Sequence, residues 1–343
     1  VEWVITDIAC QMNNITTVAL YPNQRIEDIN YIIQQNQVNT LFISPESLVI
    51  LTKQNNISQI GTLKTVVLFN FSMFISEDNE DMDILRKHGL SVLLYTDLIK
   101  CPTVEVNLSL AKPQSVYSIC YTSGTTSQPK GAMMTQKGIA CQRCLGEDAG
   151  MNIIKDDVFY SYFPLANLME RINVMNAICM GAKIGFMPRS DEKLCLLEDM
   201  SILKPTIFST APWSLISFHK SVMEDFSNLS GCMKTTAEDG LSEKKSKLMK
   251  CGTLHHCYFD TIIFNQIRDR LGGRLRLIVS GYASLPEDIA IELKIMLCCP
   301  IVEMYGMAEL GVACSTNADD LQNRNSGGVL SVLRMKLVDK KQL

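Results

Sequence analysis

Tyr121-Thr-Ser-Gly-Thr-Thr-Ser-Gln-Pro-Lys-Gly131 decides how the rest of the chain is read. These eleven residues hold hydroxyl side chains, two glycines and a single lysine. An apolar run, Val116 to Cys120, precedes them, and a helix-like segment starting near Thr135 follows. A strand, a hydroxyl- and glycine-bearing loop, a lysine and a helix present backbone N–H groups and hydroxyls to a phosphate. The Walker pattern does not fit, because Gly124 is followed after four residues by Pro129, Lys130 and Gly131 where Gly-Lys-Ser/Thr is required. A plain turn would not need so many hydroxyls beside a lysine.

Working outward, short apolar runs alternate with helical patterns. Glu2–Cys10 has helical spacing, Thr17–Tyr21 reads as a strand, Ile26–Gln35 as an amphipathic helix and Thr40–Ser44 as a strand stopped by Pro45. Leu63–Phe69 and Ser91–Tyr95 repeat the strand pattern, with a helix at Leu85–His88 between them. Beyond the loop, helices are predicted over Gln136–Ala149, Ile172–Met180, Ser190–Leu203, Trp213–Val222 and Pro286–Met296. Strands are predicted over Val158–Phe163, Ala182–Met187, Pro205–Thr210, Leu275–Ser280 and Ile301–Tyr305. This alternation is the mark of an α/β fold with parallel strands. Leu333–Val338 alternates apolar and basic residues near the end. Glu224–Lys250 is rich in lysine, glutamate, serine and glycine, and reads as an exposed insertion whose basic cluster Lys244, Lys245 and Lys247 lies on a solvated face.

Bulk properties narrow the classes. The 343 residues are 47% hydrophobic and 20% charged, a globular composition. The net charge of −4 argues against nucleic acid as a partner. No run of about 18 apolar residues suggests a membrane span. Thirteen cysteines follow no framework, which points to reduced thiols in a cytosol-facing protein. Val1 already lies inside an apolar pattern, so a preceding segment is expected.

Other chemistry-bearing residues form smaller groups. Glu309, in Tyr305-Gly-Met-Ala-Glu309, places a carboxylate in a turn after a strand, where Mg²⁺ accompanying a polyphosphate could take it as a ligand. Ser280-Gly-Tyr-Ala-Ser284 offers a glycine for close approach of a planar group and the Tyr282 ring to pack on it, or a plain strand-to-helix turn. Cys251, His255, His256 and Cys257 fit the usual zinc spacings poorly. Cys141-Gln-Arg-Cys144 falls within a predicted helix, which favours packing over redox chemistry. His219 reads as a helix-flank residue, and no Gly-x-Ser-x-Gly elbow is present.

Taken together, Tyr121–Gly131, Phe163-Pro-Leu-Ala-Asn-Leu-Met-Glu-Arg171, Gly181–Phe186, Lys204–Phe208, Leu271–Gly281, Tyr305–Glu309 and Lys336–Asp339 resemble the long-chain fatty acyl-CoA synthetases of the adenylate-forming, AMP-binding superfamily. The resemblance spans nearly the whole chain and is weakest between Ser221 and Lys250. It implies an α/β large N-terminal domain over residues 1–343 with stacked mixed sheets and intervening helices, incomplete at both ends and lacking the C-terminal lid domain with its adenylation lysine. It implies ATP, Mg²⁺ and coenzyme A, and a long-chain fatty acid activated first as acyl-adenylate and then as acyl-CoA. Thr122, Ser123, Gly124, Thr125, Thr126 and Lys130 would hold the β- and γ-phosphates; Gly281, Tyr282, Tyr305 and Gly306 would line the adenine site; Glu309 would bind Mg²⁺. It further implies peripheral docking on the endoplasmic reticulum or mitochondrial outer membrane through an N-terminal segment outside this chain. Three positions depart from the family: Ser127 stands for a glycine, Asn167 for a histidine and Ala308 for a threonine. They point to a second function class, a catalytically impaired relative that binds nucleotide, acyl chain or a partner. Adenylation of an aryl acid is disfavoured by Ala182–Phe186 and Lys204–Phe208.

Overall fold

The computed structural model describes residues 1–21, 24–53, 61–69, 80–102, 110–122, 128–187, 196–321 and 325–339. Val1–Lys137 and Gly138–Leu343 form two compact units.

In the first unit the elements run α1 (Glu2–Met12), β1 (Thr17–Ala19), α2 (Ile26–Gln35), β2 (Thr40–Ile43), α3 (Pro45–Lys53), β3 (Thr65–Leu68), α4 (Glu80–Lys87), β4 (Ser91–Leu94), α5 (Tyr95–Leu98), β5 (Val116–Thr122) and β6 (Lys130–Thr135). Strands β2, β3 and β4 form a parallel sheet, with Thr40 opposite Thr65 and Thr65 opposite Ser91. Ile26 and Ile33 recur at helical spacing on α2, and pack with Leu48, Leu51, Val66, Leu68, Met82 and Leu85 into one core. Pro45 does stop β2, and it also opens α3, because its fixed φ and missing N–H suit a first helical turn. A second sheet has the order β1-β5-β6, with β1 parallel and β6 antiparallel to β5.

That last pairing adds a strand between the loop and the helix expected from near Thr135. Lys130–Thr135 is a strand, and α6 (Gln136–Cys141) starts only after it. Tyr121–Gly131 is therefore a hairpin connection, not a strand-to-helix turn. The predicted helix over Gln136–Ala149 is likewise broken, into α6, a 3-10 turn at Gln142–Cys144 and α7 (Leu145–Asp148). Cys141 and Cys144 straddle that break.

The second unit continues with β7 (Val158–Ser161), α8 (Leu168–Cys179), β8 (Lys183–Phe186), α9 (Leu196–Leu203), β9 (Ile207–Thr210), α10 (Pro212–Asn228), α11 (Gly231–Cys251), α12 (Cys257–Phe259), α13 (Asn265–Asp269), β10 (Leu277–Ser280), α14 (Glu287–Leu297), β11 (Ile301–Met307), β12 (Gly311–Ser315) and β13 (Gly328–Val329). A seven-stranded sheet has the order β13-β12-β11-β10-β9-β7-β8. The strands from β8 to β11 are parallel and the last two are antiparallel. All four residues of β7, β9 and β10 are buried, as expected of strands covered on both faces. Phe208, Leu215, Phe264, Ile278, Leu293 and Ile301 lie in the main core. Leu333–Val338 forms no strand.

Glu224–Lys250 departs from expectation at one face. Most of it belongs to α11, a regular helix with many exposed side chains. Ala237, Gly240, Lys244 and Leu248 nevertheless form a buried stripe at helical spacing. Lys244 is 1% exposed and donates a short hydrogen bond to Asp260, so it does not lie on a solvated face. A buried ammonium needs such a partner.

Candidate functional site

The phosphate-loop residues belong to the first unit. Ser123, Gly124, Thr125, Thr126 and Ser127 lie outside the described residues, and the structure places the two residues that flank them. Thr122 ends β5 and Lys130 begins β6, directly opposite each other in the ladder. Lys130 is exposed and makes no ion pair among the described residues. The hairpin base is anchored from below. The Tyr121 ring is buried, and its hydroxyl donates to Gln35 and accepts 2.6 Å from Asn36 Nδ2 on the following residue. Burial pushes its phenol up from the ordinary value. Gly131 has no side chain because a Cβ there would lie 2.8 Å from Ile119 Cγ2 and 3.0 Å from the Tyr121 ring. The base of the hairpin is thus held by Tyr121 and Gly131, at the two ends of the quoted stretch, together with Gln35, Asn36 and Ile119 outside it.

The first unit also holds a cavity of about 600 Å³ bordered by Trp3, Ile33, Phe42, Phe69 and Ile119. Asp7 borders it too, and accepts hydrogen bonds from Thr17 and Tyr117. Among the described residues, none of the anticipated site residues borders it.

The remaining anticipated residues belong to the second unit and gather at the C-terminal edge of its parallel strands. Ser280, the last residue of β10, lies opposite Glu303 of β11, so Gly281–Tyr282 follow the end of β10 beside the last part of β11, which holds Tyr305–Gly306. Crevices beyond such ends are where open α/β sheets take ligands. Gly281 N–H donates 3.1 Å to the Thr210 carbonyl, and a Cβ on Gly281 would come within 3.3 Å of Met169 Cε. Tyr282 has φ +76°, a left-handed conformation uncommon for a non-glycine residue. Its ring is half exposed, its hydroxyl donates 3.0 Å to Asn167 Oδ1, and its edge meets the Phe163 ring at 5.3 Å. Tyr305 is also half exposed.

Gly306 lies inside β11 rather than in the turn, next to a bulge at Tyr305/Gly306. A Cβ there would meet the Gly311 carbonyl oxygen at 2.3 Å, so its small size serves the close β11–β12 approach. Glu309 does sit in the turn that follows, exposed and without an ion pair among the described residues. A solvated carboxylate at a hairpin tip is chemically suited to a hard divalent cation.

Further polar residues lie behind this edge, with contacts that the sequence did not suggest. Asn167 caps α8 by accepting from the Met169 N–H while it accepts the Tyr282 hydroxyl. An asparagine just before an apolar helical run was the available signal. Glu170 on α8 is 2% exposed and accepts a short hydrogen bond from Ser161. Burial pushes its carboxyl up to about 7, against the opposing hydrogen bonds from Ser161 and Asn173. Tyr162 shares a 2.6 Å hydrogen bond with Thr210, and burial raises its phenol. Behind the opposite end of the sheet Asp157 takes a two-pronged bond from Arg276, which also reaches the Met151 and Asn152 carbonyls. Burial alone would raise the Asp157 carboxyl, but Arg276, Thr206 and the Ile154 N–H hold it below its ordinary value. His219, on α10, pairs at 2.6 Å with Glu292 of α14, a helix-to-helix tie.

The mixed sheets, the intervening helices and the ligand edge define an α/β fold of the adenylate-forming type. The adenylation domain of a carboxylic acid reductase from Segniliparus rugosus, solved with AMP and a carboxylic acid, matches it with TM-score 0.73 at 20% identity, covering 100% of this chain and 51% of that one. An ATP-bound MatB from Rhodopseudomonas palustris matches with TM-score 0.63 at 16% identity over 96% of this chain and 52% of its own. The family description "AMP-binding enzyme" matches residues 1–343, and the chain belongs to that family. Among curated proteins, the peroxisomal long chain acyl-CoA synthetase 7 of Arabidopsis thaliana is 28% identical over 342 residues, covering 98% of this chain and 47% of that protein. Human long-chain-fatty-acid–CoA ligase 1 is 29% identical over 351 residues, covering 100% of this chain and 49% of that protein. The chain thus spans about half the length of the curated relatives it matches.

Proposed function

We propose that this chain carries the nucleotide-binding part of an enzyme that activates a long-chain fatty acid with ATP, as acyl-adenylate and then acyl-CoA. The observation that carries the proposal is its likeness, along almost its full length, to long-chain acyl-CoA synthetases. The residues fit the task. Thr122 and Lys130 face each other across the base of the hairpin, where a hydroxyl and an ammonium can meet a polyphosphate. Gly281 and Tyr282 follow the end of β10 and Tyr305 lies in the last part of the neighbouring β11, where a flat base can stack on exposed rings. Glu309 is the carboxylate offered to Mg²⁺, whose chemistry would be to neutralise phosphate charge. The protein's own task is to hold the α-phosphorus in line for attack by the carboxylate.

A second function, binding without turnover, is favoured by Ala308 and Asn167. Ala308 supplies no hydroxyl beside Glu309, and Asn167 is committed to capping α8 and to Tyr282. Pyrophosphate exchange into ATP separates the two when driven by palmitate, with benzoate as a control acid. Palmitate-driven exchange supports activation. ATP binding without exchange supports the second function, and benzoate-driven exchange sinks the long-chain assignment.

The membrane assignment stays a proposal of the same kind. Among the described residues no helix is long and apolar enough to cross a membrane.

A further inference from the structure

One polar cluster in the second unit serves none of these tasks. It lies where α11, the turn before α12 and the end of α14 meet. Asp260 follows α12 and opens a π-helical turn, Asp260–Phe264, a departure from the α-helix often found at functional sites. Cys298 caps the end of α14 with φ 50°, ψ 40°. That left-handed conformation is uncommon for a non-glycine residue and brings the Cys298 side chain back toward Asp260. His255 Nδ1 lies 3.7 Å from Asp260 Oδ2, and Cys298 Sγ lies 3.5 Å from the same oxygen. The three donor atoms all fall within 4.8 Å of one another.

We propose that His255, Asp260 and Cys298 form a binding site for a divalent first-row transition ion of the zinc type. Zinc bonds of about 2.0 Å to nitrogen and oxygen and about 2.3 Å to sulfur set tetrahedral donor atoms roughly 3.3–3.6 Å apart. Both measured separations to Asp260 Oδ2 are within a few tenths of an ångström of that range. Imidazole, carboxylate and thiolate together suit zinc and its neighbours, whereas calcium and magnesium take oxygen. His255 is 68% exposed in its side chain, so the fourth position faces solvent.

The surroundings orient this set. Lys244 holds the other carboxylate oxygen, Oδ1, and so turns Oδ2 toward His255 and Cys298. The His256 backbone N–H donates 2.8 Å to Oδ2 and leaves that oxygen a second lone pair. Lys244 Nζ also lies 3.3 Å from Cys298 Sγ, placed to donate to a metal-bound thiolate. Such outer contacts fix ligand orientation in metal sites. An ion of charge +2 with one thiolate and one carboxylate is neutral, and the buried Lys244 ammonium stays outside the donor set, held by the other carboxylate oxygen. His256 is not a fourth ligand: its Nε2 contacts Glu243 at 2.9 Å and its Nδ1 accepts from the Phe259 N–H. Cys251 and Cys257 are exposed and do not join the group.

The test uses the full chain, reduced and stripped of metal, titrated with Co²⁺ and then Zn²⁺. One equivalent of Co²⁺ should give thiolate-to-metal charge-transfer absorption in the near ultraviolet, and Zn²⁺ should abolish it. Cys298→Ser should remove the band, and His255→Ala should weaken binding at least about tenfold. The exposed position of His255 keeps that variant folded, with an unchanged urea midpoint as the check. Cys251→Ser with Cys257→Ser should leave the band intact. Absence of the band in the wild type, its survival in Cys298→Ser, or its loss in the Cys251/Cys257 double variant would each overturn the proposal.

Discussion

Replacing Glu170 by glutamine should flatten a pH dependence of stability that the wild type shows near neutrality. The carboxyl is 2% exposed on α8, and burial raises it from 4.5 to about 7 in the folded chain. Between those two values the unfolded chain has lost a proton that the folded chain keeps. Stability is therefore highest below pH 4.5 as far as this group is concerned, and falls as pH rises toward 7. A shift of this size corresponds to about 3 kcal/mol in full, most of it lost between pH 5 and pH 8. The glutamine keeps an oxygen to accept the Ser161 hydroxyl and has no proton to lose. Urea unfolding of both proteins at pH 5, 6, 7 and 8 measures the effect. The difference between wild type and Glu170→Gln should move by roughly 2–3 kcal/mol in favour of the variant across that range. Parallel curves for the two proteins would show that Glu170 does not titrate there, and would refute the reasoning.

Arg276→Met strips the two-pronged partner from Asp157, whose side chain is 2% exposed, and should cost about 3 kcal/mol in urea unfolding at pH 7. Because Asp157 is held below its ordinary value, that loss should shrink as pH falls below the ordinary carboxylate range. Gly306→Ala sets a Cβ 2.3 Å from the Gly311 carbonyl oxygen, and should destabilise the β11–β12 hairpin by roughly 1–3 kcal/mol. Lys130→Ala should leave the urea midpoint unchanged, since the side chain is exposed, yet weaken binding of a fluorescent ATP analogue by about 1.5–3 kcal/mol. Ala308→Thr should raise palmitate-driven exchange by roughly one to two decades if the restored hydroxyl meets charge mainly in the transition state.

The sequence showed its strands most clearly where both faces are covered. Leu277–Ser280 and Ile207–Thr210 are unbroken apolar or small runs, and each is a buried parallel strand. Ile26–Gln35 was legible to the residue because its apolar spacing matches a helix that is buried on one side. The hairpin strand Lys130–Thr135 was not, since Gly131, Ala132, Met133 and Met134 carry no strand preference and only Ala132 and Met134 point inward. Lys244 was misplaced because its partner, Asp260, comes from a later segment and no local pattern links them. For the candidate site, the motifs pointed to Tyr282 and Tyr305, which the structure places half exposed on neighbouring strands and the turn beyond them. The Tyr282 contact of Asn167 and the burial of Glu170 depend on the turn after β10 and on β7. Helical spacing alone does not reveal such contacts.

Palmitate-dependent exchange of labelled pyrophosphate into ATP tests the functional account most directly. The account predicts exchange by the wild-type chain with palmitate, little with benzoate, and a marked fall in Lys130→Ala. Exchange that ignores palmitate, or that is unchanged in Lys130→Ala, would contradict it.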